Sequence, residues 1–279
     1  MGQARLTTLL LVFMWCDITL ADVRIDARIP DGCPQNSVCV NIVGEIKVSD
    51  VQRLKAILAA AKPTQHLQAA LNADGDDINS AMELGRVFRK YEAYVFLREG
   101  SKCVGSCIFS AAGATGRSFT KGQFAIRRIY NSSLDEMDVG KRQSEYASLR
   151  LQVLQYLDEM NVSRDLFQLA QQVPLKSTRS LSSEELSTLL GERDPVYEEA
   201  EIAAYANQIG ISFQEFLRRD ARADKTCGVV DFDCQAAVRW NITTDDYKKR
   251  VPIVRERCHA YFNDDKQMTE CVRPILLGK

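Results

Sequence analysis

The chain has 279 residues, enough for one large domain or for one domain with a small appendage. Its 46% hydrophobic and 26% charged residues are the proportions of an ordinary globular protein. A formal net charge of −1 excludes a global field that would draw the chain to nucleic acid or to an anionic membrane.

The first residues have the pattern of a secretory leader. Arg5 supplies the positive start, Leu6 to Trp15 forms a short apolar run, and Thr19-Leu20-Ala21 offers a cleavage site after Ala21. That run is too short to cross a hydrocarbon layer of about 30 Å, and no later stretch is longer. Trp15 stands where a lipoprotein signal at Cys16 would need a small residue. Export as a soluble protein is therefore expected, with residues 1–21 removed.

Cysteine usage agrees with export. Of nine cysteines, Cys16 leaves with the leader. Cys33, Cys39, Cys103, Cys107, Cys227, Cys234, Cys258 and Cys271 remain as disulfide candidates. Sequence proximity suggests Cys33 with Cys39 and Cys103 with Cys107; spacing leaves the last four unassigned. Zinc is disfavoured for those four, because no C-x-x-C pair is present and His259 is the only histidine near them. No metal or cofactor is expected.

Residues 22–39 read as an irregular lead-in. Val40 to Val43, closed by Gly44, is a β-branched strand. Ser49-Asp50-Val51-Gln52 matches a capping box for a helix running to Ala61. His66 to Leu71 is a second strand, Ile78 to Lys90 a second helix, and Tyr94 to Leu97 a third strand. Cys107 to Ala112 forms a third helix, and Phe124 to Ile126 a further strand. This alternation predicts βαβ units in a mostly parallel sheet, whose ligands collect beyond the carboxyl ends of the strands. From Gln143 the pattern is helical. Tyr146, Leu149, Leu151, Val153, Leu154 and Leu157 form an apolar stripe ending near Met160. Ser163 caps the next helix, which Pro174 ends. Ser182 to Glu185 and Ser212 to Glu215 read as two more capping boxes. The expected boundary is Glu192-Arg193-Asp194-Pro195, dividing an α/β domain (22–192) from a helical, cysteine-rich region (193–279).

Several motifs occur in a telling order. Leu71-Asn72-Ala73-Asp74-Gly75-Asp76-Asp77 reads as a turn leading into Ala81-Met82-Glu83-Leu84-Gly85-Arg86. Cys103-Val104-Gly105-Ser106-Cys107 follows, with Gly113 and Arg117 behind it. Next come Gly122 to Tyr130, Tyr156 to Met160, and Leu181 to Leu186. From Val40 to about Leu189 this arrangement resembles periplasmic proteins related to the Clp protease proteolytic subunit, within the ClpP/crotonase fold. The resemblance implies a spiral of βαβ units, a periplasmic location and a tendency to form homo-oligomers.

The resemblance also implies substituted chemistry. Its serine nucleophile matches Gly105, with Ser106 one place late, and its histidine base matches Arg127. A guanidinium is permanently protonated and cannot accept a proton from a hydroxyl. Lys176-Ser177-Thr178-Arg179 lacks the third, acidic member. Where paired glycines would form the oxyanion turn, the chain has Gly75-Asp76, and Asp76 is expected to pair with Arg127. If the Cys103–Cys107 turn is helical, the two cysteines lie on one face, within disulfide range.

A catalytically inactive pseudo-protease that binds an unidentified protein or peptide is the expected function. An active serine hydrolase is the alternative, using Ser106 or Ser110 with a base such as Lys102 or Lys121. A crotonase-type acyl-CoA reaction fits poorly with an exported chain. Phe119, Phe124, Ile129 and Tyr130 are the candidate partner surface.

Overall fold

The computed structural model describes residues 22–25, 33–34, 37–61, 66–130, 138–228, 230–261 and 265–278. The expected leader, Cys16 and the cleavage position at Ala21 lie outside the described residues. In chain order the first half carries β1 (Asp22–Ile25), β2 (Ser37–Gly44), α1 (Val48–Ala60), β3 (His66–Gly75), α2 (Ile78–Lys90), β4 (Tyr94–Leu97), β5 (Lys102–Gly105), α3 (Cys107–Ala112), β6 (Gly116–Ser118) and β7 (Gln123–Ile126). Then follow α4 (Val139–Glu159), α5 (Asp165–Gln172), β8 (Arg179–Ser180), α6 (Ser183–Leu189), α7 (Pro195–Ile209), α8 (Phe213–Cys227), α9 (Phe232–Trp240), α10 (Thr244–Cys258) and α11 (Asp265–Leu277).

The expected α/β class with a helical, cysteine-rich C-terminal region is what the chain forms. Strands β2, β3, β4, β5, β6 and β7 run parallel, while β1 and β8 close the ends antiparallel. Strand β3 changes partner midway: Gln68 to Leu71 pair with β4, and Ala73 to Gly75 pair with β5. That switch curls the sheet. It also brings the ends of β3 and β5 side by side at the carboxyl edge.

Several expectations on local structure are corrected. The lead-in is not wholly irregular, because β1 pairs with Val40 to Val43 of β2. Helix α1 starts at Val48, ahead of the Ser49 box; Asp50 Oδ2 accepts from the Lys47 amide at 2.9 Å instead. Residues 71–75 are strand rather than turn. Cys103 lies on β5 and Cys107 begins α3, so their disulfide joins a strand to a helix and not two positions on one helix. The Ser182/Glu185 box forms as expected. Ser212 accepts from the Glu215 amide, but the Glu215 carboxylate turns to Arg218 and Arg219.

Two apolar cores result. The larger lies around the sheet and contains Leu54, Leu71, Leu84, Phe88, Ile108, Ile126, Tyr156 and Leu157, all buried. The smaller joins α7, α8, α9, α10 and α11 through Ile209, Phe216, Trp240, Cys258, Val272 and Leu276. The unassigned cysteines pair there as Cys227–Cys234 and Cys258–Cys271, and Cys33–Cys39 forms at the start of β2.

At the root of α7, Asp194 ties the two together. One carboxylate oxygen caps the helix through the amides of Val196 and Tyr197. The other receives Arg89 Nη1 at 2.5 Å and Asn161 at 3.1 Å.

Candidate functional site

The carboxyl ends of β3 and β5 meet at the register pair Gly75 and Gly105. Gly105 has φ +66, a left-handed conformation that L side chains seldom adopt. A Cβ there would stand 2.4 Å from the Gly75 carbonyl oxygen and 3.2 Å from Asp76 Oδ1. The following amide, of Ser106, donates to that same Gly75 oxygen at 2.8 Å. The turn is thus narrow enough to demand glycine, and the disulfide from Cys103 to Cys107 holds it on both sides.

Ser106 is buried at 5% exposure and stands just before α3. Its hydroxyl has no hydrogen bond to any described residue. Ser110 is no substitute nucleophile, since its buried hydroxyl donates to the Cys107 carbonyl at 2.7 Å. His66 opens β3, at the end opposite Gly75, and His259 is exposed beyond α10. Lys102 turns to Asp74, with Nζ 3.2 Å from Oδ2, and Lys121 is exposed.

Arg127 follows β7 and faces this turn. Its Nη2 is 2.7 Å from Asp74 Oδ1, its Nη1 is 3.3 Å from Asp76 Oδ1, and its Nε donates to Thr178 Oγ1 at 3.3 Å. The expected Asp76–Arg127 pair is present, but the shorter contact is to Asp74, which the sequence reading missed. Asp74 had been placed in a turn; extending the alternation of β3 through Gly75 would have set it on the strand bordering β5.

The 176–179 segment brings only the Thr178 hydroxyl to Arg127. Of the two acids that follow, Glu184 and Glu185, the second accepts from the Ser182 amide at 3.0 Å and pairs with Arg179 at 2.5 Å. Between Ser106, Asp76, Phe109, Arg127, Ile129 and Tyr130 lies a cavity of about 20 Å³, the space of a single water. The candidate partner surface is corrected: Phe119, Phe124 and Ile129 are buried in the core, with the first two rings edge to face at 5.5 Å. Ile129 and Tyr130 of that set line the cavity.

The helix behind the turn is held by groups that sequence reasoning left unexplained. Arg117 is buried and donates through Nε, Nη1 and Nη2 to the carbonyls of Ala111, Ala112, Ala114, Leu190 and Gly191. Burial, with Arg89 nearby, lowers its guanidinium to about 10. The Tyr156 hydroxyl donates to the Phe109 carbonyl at 2.5 Å, and complete burial pushes that phenol upward. Gly113 packs against Gly85 so closely that a Cβ would meet the Gly85 oxygen at 2.1 Å. Only a backbone-to-backbone approach fits there.

Among the described residues no group of three or more His, Cys, Asp or Glu side chains is placed to hold a metal ion. Nor is any described helix long and apolar enough to cross a membrane.

No family model matches this chain, and no curated protein matches it. Among solved structures it is similar to a peptidase from Plasmodium falciparum, at 10% identity and a TM-score of 0.42, over 56% of this chain and 93% of that one. It is similar to ClpP1 from Listeria monocytogenes at 12% identity and a TM-score of 0.39, over 53% of this chain and 85% of the other. A structure described only as an enzyme matches at 10% identity and a TM-score of 0.41, over 55% and 92% of the two chains.

Proposed function

We propose that this chain is an exported, ClpP-like scaffold that no longer hydrolyses peptides and serves as a binding or assembly module for a protein or peptide partner. One observation carries the reading: among the described residues the hydroxyl of Ser106 has no proton acceptor, and Arg127, held by Asp74 and Asp76, lines the same cavity. The spent Ser106 amide supports it, because an oxyanion needs amide donors that are free at the moment of reaction. In this reading Gly105 and Arg127 are the replaced nucleophile and base, and Gly75-Asp76 is the remnant of the oxyanion turn. Residues 22–192 form the scaffold and 193–279 an accessory region, after a leader cleaved near Ala21. A periplasmic location and self-association complete the proposal.

The second reading, a hydrolase using Ser106, is favoured by that hydroxyl lying beside a cavity with no partner among the described residues. A fluorophosphonate probe separates the two. No labelling of the folded protein is expected. Stoichiometric labelling that Ser106→Ala abolishes would establish the hydrolase instead. Gly105→Ser combined with Arg127→His should restore no peptide hydrolysis, since the new side chain at 105 would collide with the Gly75 carbonyl in a left-handed backbone.

A further inference from the structure

The opposite end of the sheet is built quite differently. The amino ends of the parallel strands β2, β3, β4 and β6 open into a cleft of about 800 Å³, walled on one side by the first turns of α7. Gln68, Tyr94 and Gly116 form one row across its floor, in register on β3, β4 and β6, with His66 two residues before Gln68 on β3. A Cβ at Gly116 would meet Tyr94 Cδ2 at 2.8 Å, so the glycine gives the ring its seat. Tyr94 remains 43% exposed.

We propose that this cleft binds an organic cation, an ammonium or guanidinium carried on a methylene chain. Glu92, Glu192 and Glu198 line it, and none of the three side chains has an ion pair or hydrogen bond to a described residue. Among the described residues the arginines that line the cleft are committed. Arg193 pairs with Glu201 at 2.5 Å. All five N–H groups of Arg117 are used by carbonyl oxygens. A cation from outside would therefore meet uncompensated carboxylates around an exposed aromatic ring, the combination that holds ammonium and guanidinium groups.

Size and spacing decide between a metal and a larger ligand. Among the described residues the carboxylates form no metal-holding group. The volume lies within the range of roughly 300–1,000 Å³ usual for organic ligands. The wall is also tied to the floor before anything binds. The Arg117 amide donates to the Glu192 carbonyl at 2.7 Å, and the Asp194 amide to the Thr115 carbonyl at 2.8 Å. No residue of this cleft lines the Ser106 cavity, so the inference stands or falls separately from the loss of catalysis.

Titration calorimetry of the full mature chain tests it with three probes: spermidine, N-acetyl-Lys-Ala-Lys-amide, and the same tripeptide with norleucine at both lysine positions. Saturable binding of one of the two cationic probes with unit stoichiometry is expected, and none of the norleucine peptide. Preference for the tripeptide identifies a basic protein segment as the source of the cation; preference for spermidine identifies a free polyamine. Glu92→Gln with Glu198→Gln should weaken binding about tenfold, and Tyr94→Leu about two- to fivefold, with unchanged melting temperatures. Absence of saturation by both cationic probes up to about 10 mM would overturn the proposal. So would affinity indifferent to both variants.

Discussion

The α/β region and the helical region solve the problem of stability in different ways. Around the sheet, buried side chains from Val40 to Leu190 form one continuous core, and its disulfides at Cys33–Cys39 and Cys103–Cys107 close only short loops. The helices from α7 onward share a much smaller core, and there Cys258 is itself a core side chain, bonded to Cys271 on the next helix. A small core buries too little apolar surface to offset the ordering of its chain, so covalent closure matters more. Between them stands an ionic clasp of Arg89 with Asp194. The difference teaches that the first region is organised by packing, and the second by staples and its anchorage to the first.

The sharpest way to break this contrast is to cut the clasp. Asp194→Ala leaves the half-buried Arg89 without its counter-ion and removes the cap of α7, and should cost about 3–5 kcal/mol. Urea unfolding followed by the fluorescence of Trp240 and by far-ultraviolet dichroism measures the loss; a change below about 1 kcal/mol would show that the clasp does not anchor the helices.

Packing in the α/β region is probed by Gly113→Ala, whose Cβ would force α2 and α3 apart at the Gly85 carbonyl. A loss of about 3 kcal/mol is expected, with the helical core unfolding at its usual denaturant concentration. Opening Cys258–Cys271 by a double Cys→Ala change should remove about 3 kcal/mol, mainly from the helical region. The same change at Cys103 and Cys107 should remove about 2 kcal/mol. Equal sensitivity of both regions to both disulfides would erase the distinction.

Acid offers a gentler test. Burial raises the Asp194 carboxyl, but the hydrogen bonds from Arg89 and Asn161 outweigh it and hold the group below the ordinary carboxylate range. A depressed folded value means that its contribution is complete above the unfolded pKa of about 4 and disappears as pH falls through the folded one. The melting temperature should therefore drop below about pH 4, and Asp194→Asn should flatten that part of the profile.

The smallest effect belongs to the carboxyl-end cluster. Arg127→Ala should change stability by less than about 1 kcal/mol, since its partners Asp74 and Asp76 are partly solvated. A larger loss would make the Arg127 cluster part of the structural frame.

Local chemistry determined much of this molecule. Alternating β-branched runs, the 78–90 helix and the Ser182 box follow from preferences acting over a few residues, and the sequence reading located them. The Asp76–Arg127 contact was legible because each residue occupied a conspicuous position in its motif. Lys102 to Gly105 hid as a strand because four residues carry almost no periodicity, and a strand is defined by its neighbours. Asp74 with Arg127, Arg89 with Asp194, and the five carbonyls around Arg117 were decided only by the tertiary structure. Charge pairing and carbonyl capping across such separations depend on which chain ends the curled sheet brings together, and no nearest-neighbour preference encodes that.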